Sequence, residues 1–418
     1  MTTEKDQHAR EQLAKVLTGI IPSEKISEDD RMIKVLLVGN YAPDGQASML
    51  AFQRVFEREL PALGCEVRVT TPPRRLQGVP PDSRWWKWLG YLDKFILFIP
   101  TIALQARWAD VVHICDHSNS MYVPWVRRKP TVVTCHDVIA VQAARGLVDG
   151  WTVGWSGRLL QRLIGSALAR ADLVVCVSHL TRRALLELRL ADESRVTTVV
   201  NGLNDNFCPI EPGPAQALIS RFGLRPEDQF LLHVGSDLPR KNRKSVVETF
   251  IALQRRAAEA GTEAPVQHLV FVGPELGPSL NDLARQHGLA DRIRTLQDVT
   301  HEELRALYAR ATALLFPSLQ EGFGWPVIEA QACGCPVFAS DLAPMNEIGG
   351  AGACYINPHA PESMAELIEG AAGRLKEMRE LGLQNALGYS TTQMMAGYLA
   401  AYRLALRARN PRVPAAHS

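Results

Sequence analysis

Glu321 and Glu329 stand with seven residues between them in LLFPSLQEGFGWPVIEAQACGCPVFASD, and their surroundings narrow the chemistry they can do. Ala313 to Phe316 has the length and apolar composition of a buried strand, which Pro317 and Ser318 end. A loop follows through Glu321, Gly322, Phe323 and Gly324. Pro326 suits the first position of a helix, where a missing backbone donor costs nothing. The pattern predicts a helix from about Pro326 to Cys333, stopped by Gly334, with Glu329 in its first turn. The free N–H groups and positive dipole end of such a helix favour an anionic ligand, and Gly322 and Gly324 let a ligand approach the main chain. Two carboxylates repel a bare phosphate but accept hydrogen bonds from hydroxyls, as on a sugar and a ribose. A nucleotide-sugar carries both hydroxyls and a pyrophosphate. The plain alternative is a solvated helix start with a capping carboxylate.

Two further groups bear on the same chemistry. In FLLHVGSDLPRKNRKSVVETF a buried strand ends at Gly235, and Arg240, Lys241 and Asn242 precede an amphipathic helix. Guanidinium and ammonium groups in that loop can neutralise a pyrophosphate without a metal ion, although a solvated basic turn has the same composition. His136 follows the strand Thr131 to Cys135, at a strand end where open α/β sheets place ligand groups. A histidine there can equally cap the strand by hydrogen bonds.

These residues need a scaffold, and the chain is long enough for one of two parts. At 418 residues it exceeds one ordinary domain and accommodates two cored ones. A net charge of +2 with 22% charged residues, and no zinc-finger spacing or basic tail, set nucleic-acid binding aside. The eight cysteines lie mostly in apolar runs, as Cys115, Cys135 and Cys176 do, with no signal peptide before them. They read as small core residues in a reducing cytosol, and Cys333 and Cys335 have the wrong spacing for a CxxC site. We assign no metal, redox group or other cofactor.

In chain order, residues 1–30 read as a loosely attached extension. MIKVLLVGNYAPDGQASMLAFQRVFERELPALGCEVRVTT then reads as strand, loop, amphipathic helix and strand, the opening of a doubly wound domain. Its loop has only Gly39 and Gly45, so the GxGxxG fingerprint of a nicotinamide site is missing. Between Pro72 and Leu104, Trp85, Trp86, Trp88, Tyr91, Phe95 and Phe98 are interleaved with Arg74, Arg75, Arg84, Lys87 and Lys94. That composition suits either a helix lying on an anionic membrane surface, through Trp85, Trp86, Trp88 and Phe95, or an aromatic core helix. Asp93 and Lys94 interrupt the run, which is too short to span a bilayer. The expected division is an extension (1–30), a first domain (31–205), a linker (206–228), a second domain (229–389), a crossover helix (390–410) and a tail (411–418).

EGFGWPVIE within PSLQEGFGWPVIEAQACGCPV resembles the signature of the retaining family 4 glycosyltransferases of GT-B fold, and the resemblance extends over nearly the whole ordered chain. It implies two facing Rossmann-like doubly wound α/β domains with a C-terminal helix crossing back. It implies that Glu321 contacts the donor sugar, that Glu329 binds the ribose, and that the Gly322 to Gly324 backbone lies near sugar and diphosphate. By the same resemblance His136 reaches the donor sugar near the reacting carbon, Lys241 binds the donor phosphates, and main chain near Asp298 and Val299 holds the base. Gly45 keeps the place of a glycine-rich turn whose other glycine is Asp44 here, and Gly235 is followed by Ser236 where some members have arginine, a place Arg240 can take. Glu347 matches a loop beneath the donor. The implied activity is metal-independent transfer of mannose, glucose or a related hexose from a UDP- or GDP-sugar, with retained configuration. The implied acceptor is a saccharide or a lipid-linked saccharide, in surface polysaccharide or glycolipid synthesis at the cytoplasmic face of the membrane. The rivals are a nucleotide-sugar epimerase, a phosphorylase-like enzyme with a pyridoxal site, and a non-catalytic nucleotide-sugar-binding subunit.

Overall fold

The computed structural model describes residues 32–76, 86–148 and 151–409. The expected N-terminal extension, Trp85 and the expected tail lie outside the described residues, as does the side chain of Trp86. The chain forms two compact units, one running to Asp205 and taking up the chain again from Thr391, the other spanning Asn206–Ser390.

The first unit is built on six parallel strands, β1 (Ile33–Val38), β2 (Cys65–Thr70), β3 (Val111–Ile114), β4 (Thr131–Cys135), β5 (Leu173–Cys176) and β6 (Val196–Thr198). They lie in the order β2-β1-β3-β4-β5-β6. Every residue of β3, β4 and β5 is buried, as parallel strands covered by helices on both faces require. Leu36, Val38, Val112, Ile114, Val133 and Val174 form the centre of its core.

The last helix, Thr391–Arg409, packs against β3, β4 and β5, and a buried polar chain holds it there. The hydroxyl of Tyr402 lies 2.8 Å from His113 Nδ1, the other ring nitrogen of His113 lies 2.8 Å from Thr134 Oγ1, and the Tyr398 hydroxyl meets Thr134 Oγ1 at 2.9 Å. A neutral imidazole serves this chain, because it donates from one nitrogen and accepts at the other. Burial pushes His113 down to about 3, and burial does the same to His233 in the second unit. Both groups therefore take up a proton in the unfolded chain near pH 6.5 but not in the folded one until far lower pH. Their contribution to stability is complete above that value and is lost as pH falls below it. Chemical denaturation at pH 7 and pH 5 is expected to show a loss of about 1.4 kcal/mol per pH unit for each such histidine, and His113→Gln is expected to flatten the slope.

The aromatic stretch divides its residues between two faces. A helix, Trp86–Leu92, runs through a π turn, Asp93–Leu97, into a second helix, Ile99–Gln105. Trp88, Leu92, Ile96 and Leu104 face outward, with Trp88 56% exposed. Phe98 and Ile102 are buried in the core. Phe95, expected among the membrane-facing aromatics, packs against the core instead, with its ring centroid 6.3 Å from that of Tyr122. No helix of the described residues is long and apolar enough to cross a membrane.

The second unit repeats the design with β7 (Phe230–Val234), β8 (His268–Val272), β9 (Ile293–Leu296), β10 (Ala313–Phe316), β11 (Val337–Ser340) and β12 (Ala353–Ile356). Their order is β12-β11-β10-β7-β8-β9, all parallel. From β7 the chain winds first to one side, then crosses to β10 and winds to the other. β7 and β10 are thus neighbours whose following loops leave in opposite directions, the arrangement that opens a ligand crevice in α/β sheets.

Candidate functional site

The loops after β7 and β10 carry most of the expected donor-site residues. After β7, Pro239–Lys241 forms one 3-10 turn, and Asn242 takes the left-handed conformation at φ 54° before the long helix Arg243–Ala260. The Asn242 side-chain amide donates to the carbonyls of Pro317 (3.1 Å) and Pro358 (2.8 Å), tying this turn to the loop after β10. That brace sets Arg240 and Lys241 against Glu321. The Lys241 ammonium donates to Glu321 Oε1 at 2.6 Å, Arg240 Nη1 donates to Glu321 Oε2 at 2.8 Å, and the Ser318 hydroxyl donates to Oε1 at 2.6 Å. Glu321 and Lys241 are both buried. Burial alone pushes the Glu321 carboxyl up, but the Lys241 and Arg240 charges and the hydrogen bonds from Lys241 and Ser318 outweigh it and hold the group below its usual range. Three of the roughly four acceptor positions of a carboxylate are thereby filled, leaving one for an incoming hydroxyl.

Gly235 closes in beneath this group. A Cβ there would meet the Lys241 stem at 3.3 Å and His233 Nε2 at 3.4 Å. Gly273, at φ 146° after β8, presses on it from the other side, with its Cβ position 2.2 Å from the Gly235 carbonyl oxygen.

The helix after the glycine-containing loop runs Trp325–Ala332, beginning one residue before the expected start, with Gly324 at φ 103° leading into it. Pro326 is therefore its second residue, and Glu329 lies in the second turn rather than the first. Glu329 is buried and accepts the Tyr308 hydroxyl at 3.0 Å. Phe323 is buried, with ring centroids of Trp325 and Tyr389 at 5.8 and 6.1 Å. Val299 is half-buried just before the helix His301–Arg310, whose Thr300 and Glu303 cap each other's backbone. The preceding Asp298 adopts φ 49°. Glu347 sits exposed in the short helix Met345–Ile348.

One residue of this group carries no signal in the sequence. Arg243, first in its helix, is buried against the face of Phe271 with its guanidinium 4.7 Å from the ring centroid. Its Nη1 makes a long hydrogen bond, 3.4 Å, to the Glu275 carbonyl, and its Nε and Nη2 meet no acceptor among the described residues. Lys241 and Arg243 are thus two buried cations beside one buried carboxylate, Glu321, with Arg240 half-buried next to them and the other carboxylates acting on Arg243, Asp237 and Glu275, exposed.

The first unit holds the remaining two residues. His136 is buried at the end of β4, its Nε2 donating to the Cys115 carbonyl at 2.9 Å and its ring edge-on to Phe52 at 4.7 Å. Burial pulls this histidine below its usual value against the opposing pull of Asp116. Beside it, where β1 and β3 mark the sheet's change of winding, Asp116 accepts Asn40 Nδ2 at 2.7 Å and lies 3.3 Å from His117 Nδ1. Gly45 follows a 3-10 turn at φ 66°, with open space where a side chain would be.

Two family models match the chain. "Glycosyltransferase Family 4" covers residues 55–207 and "Glycosyl transferases group 1" covers residues 216–380. The chain belongs to glycosyltransferase family 4. A D-inositol 3-phosphate glycosyltransferase of Nocardia farcinica is 29% identical over 71% of this chain and 67% of its own length. A serotype-specific mannosyltransferase of Escherichia coli is 27% identical over 67% of this chain but only 34% of its own. Among solved structures, an Anabaena protein in complex with UDP-glucose superposes with a TM-score of 0.66 at 16% identity, covering 88% of this chain and 100% of that one. The fold is thus GT-B, and the chain is a glycosyltransferase, which sets aside the epimerase and binding-subunit alternatives.

Proposed function

We propose that this family 4 glycosyltransferase moves a hexose, mannose or glucose or a close relative, from a UDP- or GDP-sugar to a saccharide or lipid-linked saccharide of a surface polysaccharide, with retained configuration and without a metal ion. The observation that carries the donor reading is that two buried cations, Lys241 and Arg243, stand beside a single buried carboxylate, Glu321, since a buried charge offset only by exposed carboxylates is costly and a diphosphate supplies a nearer anion. Lys241 and Arg240 would face the departing diphosphate, whose developing charge they stabilise. Glu321 would hold both cations in place and take one sugar hydroxyl, and Glu329 would take the ribose. His136, with Nε2 committed to a backbone carbonyl, would present a fixed ring face to the reacting sugar. No carboxylate is named as nucleophile, and in the reading we favour the leaving phosphate accepts the acceptor's proton on the face from which it departs. The UDP-glucose complex of the Anabaena neighbour and the mannosyltransferase names of the relatives support the choice of donors.

The test is a panel of UDP- and GDP-sugars read by thermal shift, because a ligand that binds only the folded chain raises its apparent stability. One donor is expected to stand out, Glu329→Ala to shrink its shift, and His136→Ala to keep the shift while slowing transfer. A panel with no shift at all, or a Glu329→Ala protein indistinguishable from wild type, would count against the site.

Attachment to an anionic membrane is part of the same proposal. Its support is the outward row Trp88, Leu92 and Ile96, joined by a second one on the helix Trp155–Leu168, where Trp155 (75% exposed), Leu159 and Leu163 recur every four residues beside the exposed Arg158 and Arg162. Cosedimentation with phosphatidylglycerol vesicles is expected to fall at least severalfold when Trp88 and Trp155 both become serine, and equal binding to neutral vesicles would argue against it.

A further inference from the structure

The helix that carries Glu329 has 8 residues, and a helix of two turns keeps its place by packing rather than by its own stability. Two polar side chains grip it. Glu329 and Gln331 are two positions apart, about 200° around the helix axis, so they leave it on opposite sides. On one side Glu329 accepts the Tyr308 hydroxyl. On the other, Gln331 is fully buried and its amide is committed at both ends. Its Nε2 donates to the Gly349 carbonyl at 2.8 Å, and its Oε1 accepts Asn385 Nδ2 at 2.7 Å.

Asn385 stands on a separate helix, Leu375–Ala386, 54 positions further along the chain. The same Nδ2 also donates to the Ile348 carbonyl at 2.8 Å. The two amides together therefore tie the Glu329 helix to the short helix Met345–Ile348 and to the turn Gly350–Gly352 that follows it. Glycines make the approach possible. A Cβ on Gly352 would stand 2.4 Å from the Gly382 Cα, and one on Gly350, at φ 54°, would stand 2.3 Å from Asn385 Oδ1. Gly382 lies one turn before Asn385 on the same helix face, so the backbone contact brings the amide into reach. The Tyr355 hydroxyl donates to the Gly350 carbonyl at 2.7 Å and fixes the turn itself. At its other end the short helix meets the donor loop, with Met345 Cγ 3.8 Å from the Cβ position of Gly324, the residue that leads into the Glu329 helix.

The type of side chain is informative. Buried amides whose bonds are all made fix one arrangement, whereas apolar side chains of similar volume tolerate several. A carboxylate that must meet a hydroxyl at hydrogen-bond distance needs that fixity, because a displacement of about 1 Å at a binding group is costly.

We propose that Gln331 and Asn385 are positioning residues for the donor, acting through Glu329 by holding its helix where the carboxylate meets the ribose hydroxyls. The proposal rests on the reading of Glu329 as the ribose ligand, and it deepens that reading by naming what sets the carboxylate's place.

The test is isothermal titration of the full chain with UDP and GDP and with their dideoxyribose analogues, which lack both ribose hydroxyls, at a temperature where circular dichroism shows each variant folded. Wild type is expected to bind the ribose form of its nucleotide at least roughly tenfold tighter than the dideoxy form, the range of a hydrogen bond to a charged acceptor. Asn385→Ser, which removes the amide, and Asn385→Leu, which keeps its shape without polar atoms, are each expected to bring that preference below about threefold. Lys241→Ala is expected to weaken both forms and keep the preference. A purely structural amide pair would lower both affinities, or the melting temperature, and leave the preference alone. Asn385 is half-buried, so its variants keep the test valid if Gln331→Met, at a fully buried position, fails to fold. The wild-type preference kept in both Asn385 variants overturns the proposal and leaves Glu329 as the ribose ligand. A wild type that binds nucleotide with no preference removes the ribose role and the proposal together, and a wild type that binds no nucleotide removes the donor site itself.

Discussion

Lys241→Ala is expected to lower kcat/KM by on the order of a hundredfold, equivalent to about 3 kcal/mol, the range found when one member of a desolvated charge pair is removed. Two losses combine. The leaving diphosphate loses a cation held at a fixed place before reaction begins, which is where electrostatic catalysis is strongest. Glu321 meanwhile keeps Arg240 and Ser318 but loses its 2.6 Å ammonium partner, so a buried carboxylate becomes only partly compensated. The apoprotein is therefore expected to melt lower as well. Lys241→Met, which keeps the stem packed beside Gly235 and over the Phe316 ring, separates the two effects by restoring packing without charge. Steady-state kinetics and donor thermal shift on both variants check this. Rates and shifts within twofold of wild type in both would mean that the ammonium faces no donor phosphate.

The second large effect is expected from a residue that touches no ligand. Gly273→Ala is expected to destabilise the second unit by about 3 kcal/mol, because its φ of 146° is one that side chains rarely adopt and its Cβ would stand 2.2 Å from the Gly235 carbonyl oxygen. Neither atom belongs to a yielding side chain, so the two loops must part. Gly235 carries the Lys241 stem against it, and parting the loops should weaken donor binding along with stability. Urea denaturation and donor titration measure the two together. A change below about 0.5 kcal/mol, the scatter of surface substitutions, would show that the loops have room to move.

The α/β class was legible because its signal is local. Runs such as LVVC and ALLF are apolar throughout, as strands covered on both faces must be, and helical patterns separate them. What brings Lys241 to Glu321 is not local. The two are 80 positions apart, and only the adjacency of β7 and β10 joins their loops. The start of the helix bearing Glu329 was misplaced by one residue because the left-handed Gly324, not Pro326, sets its entry. Arg243 sits where an amphipathic pattern asks for an apolar side chain, and nothing near it in sequence marks it as buried. In the aromatic stretch, composition alone could not sort Trp88 from Phe95. The π turn does the sorting, and it depends on Tyr41 and Asp44, some fifty positions upstream.

The helix Thr391–Arg409 completes the first unit only after the whole of Asn206–Ser390 has been laid down. During vectorial synthesis on a ribosome, the surface formed by Phe56, His113 and Thr134 must wait for Tyr398 and Tyr402 through the making of an entire second unit. The half emerging first is thus the half that matures last. A nascent chain arrested before position 391 should present that uncovered greasy strip to chaperones, while its later-made neighbour can already be closed.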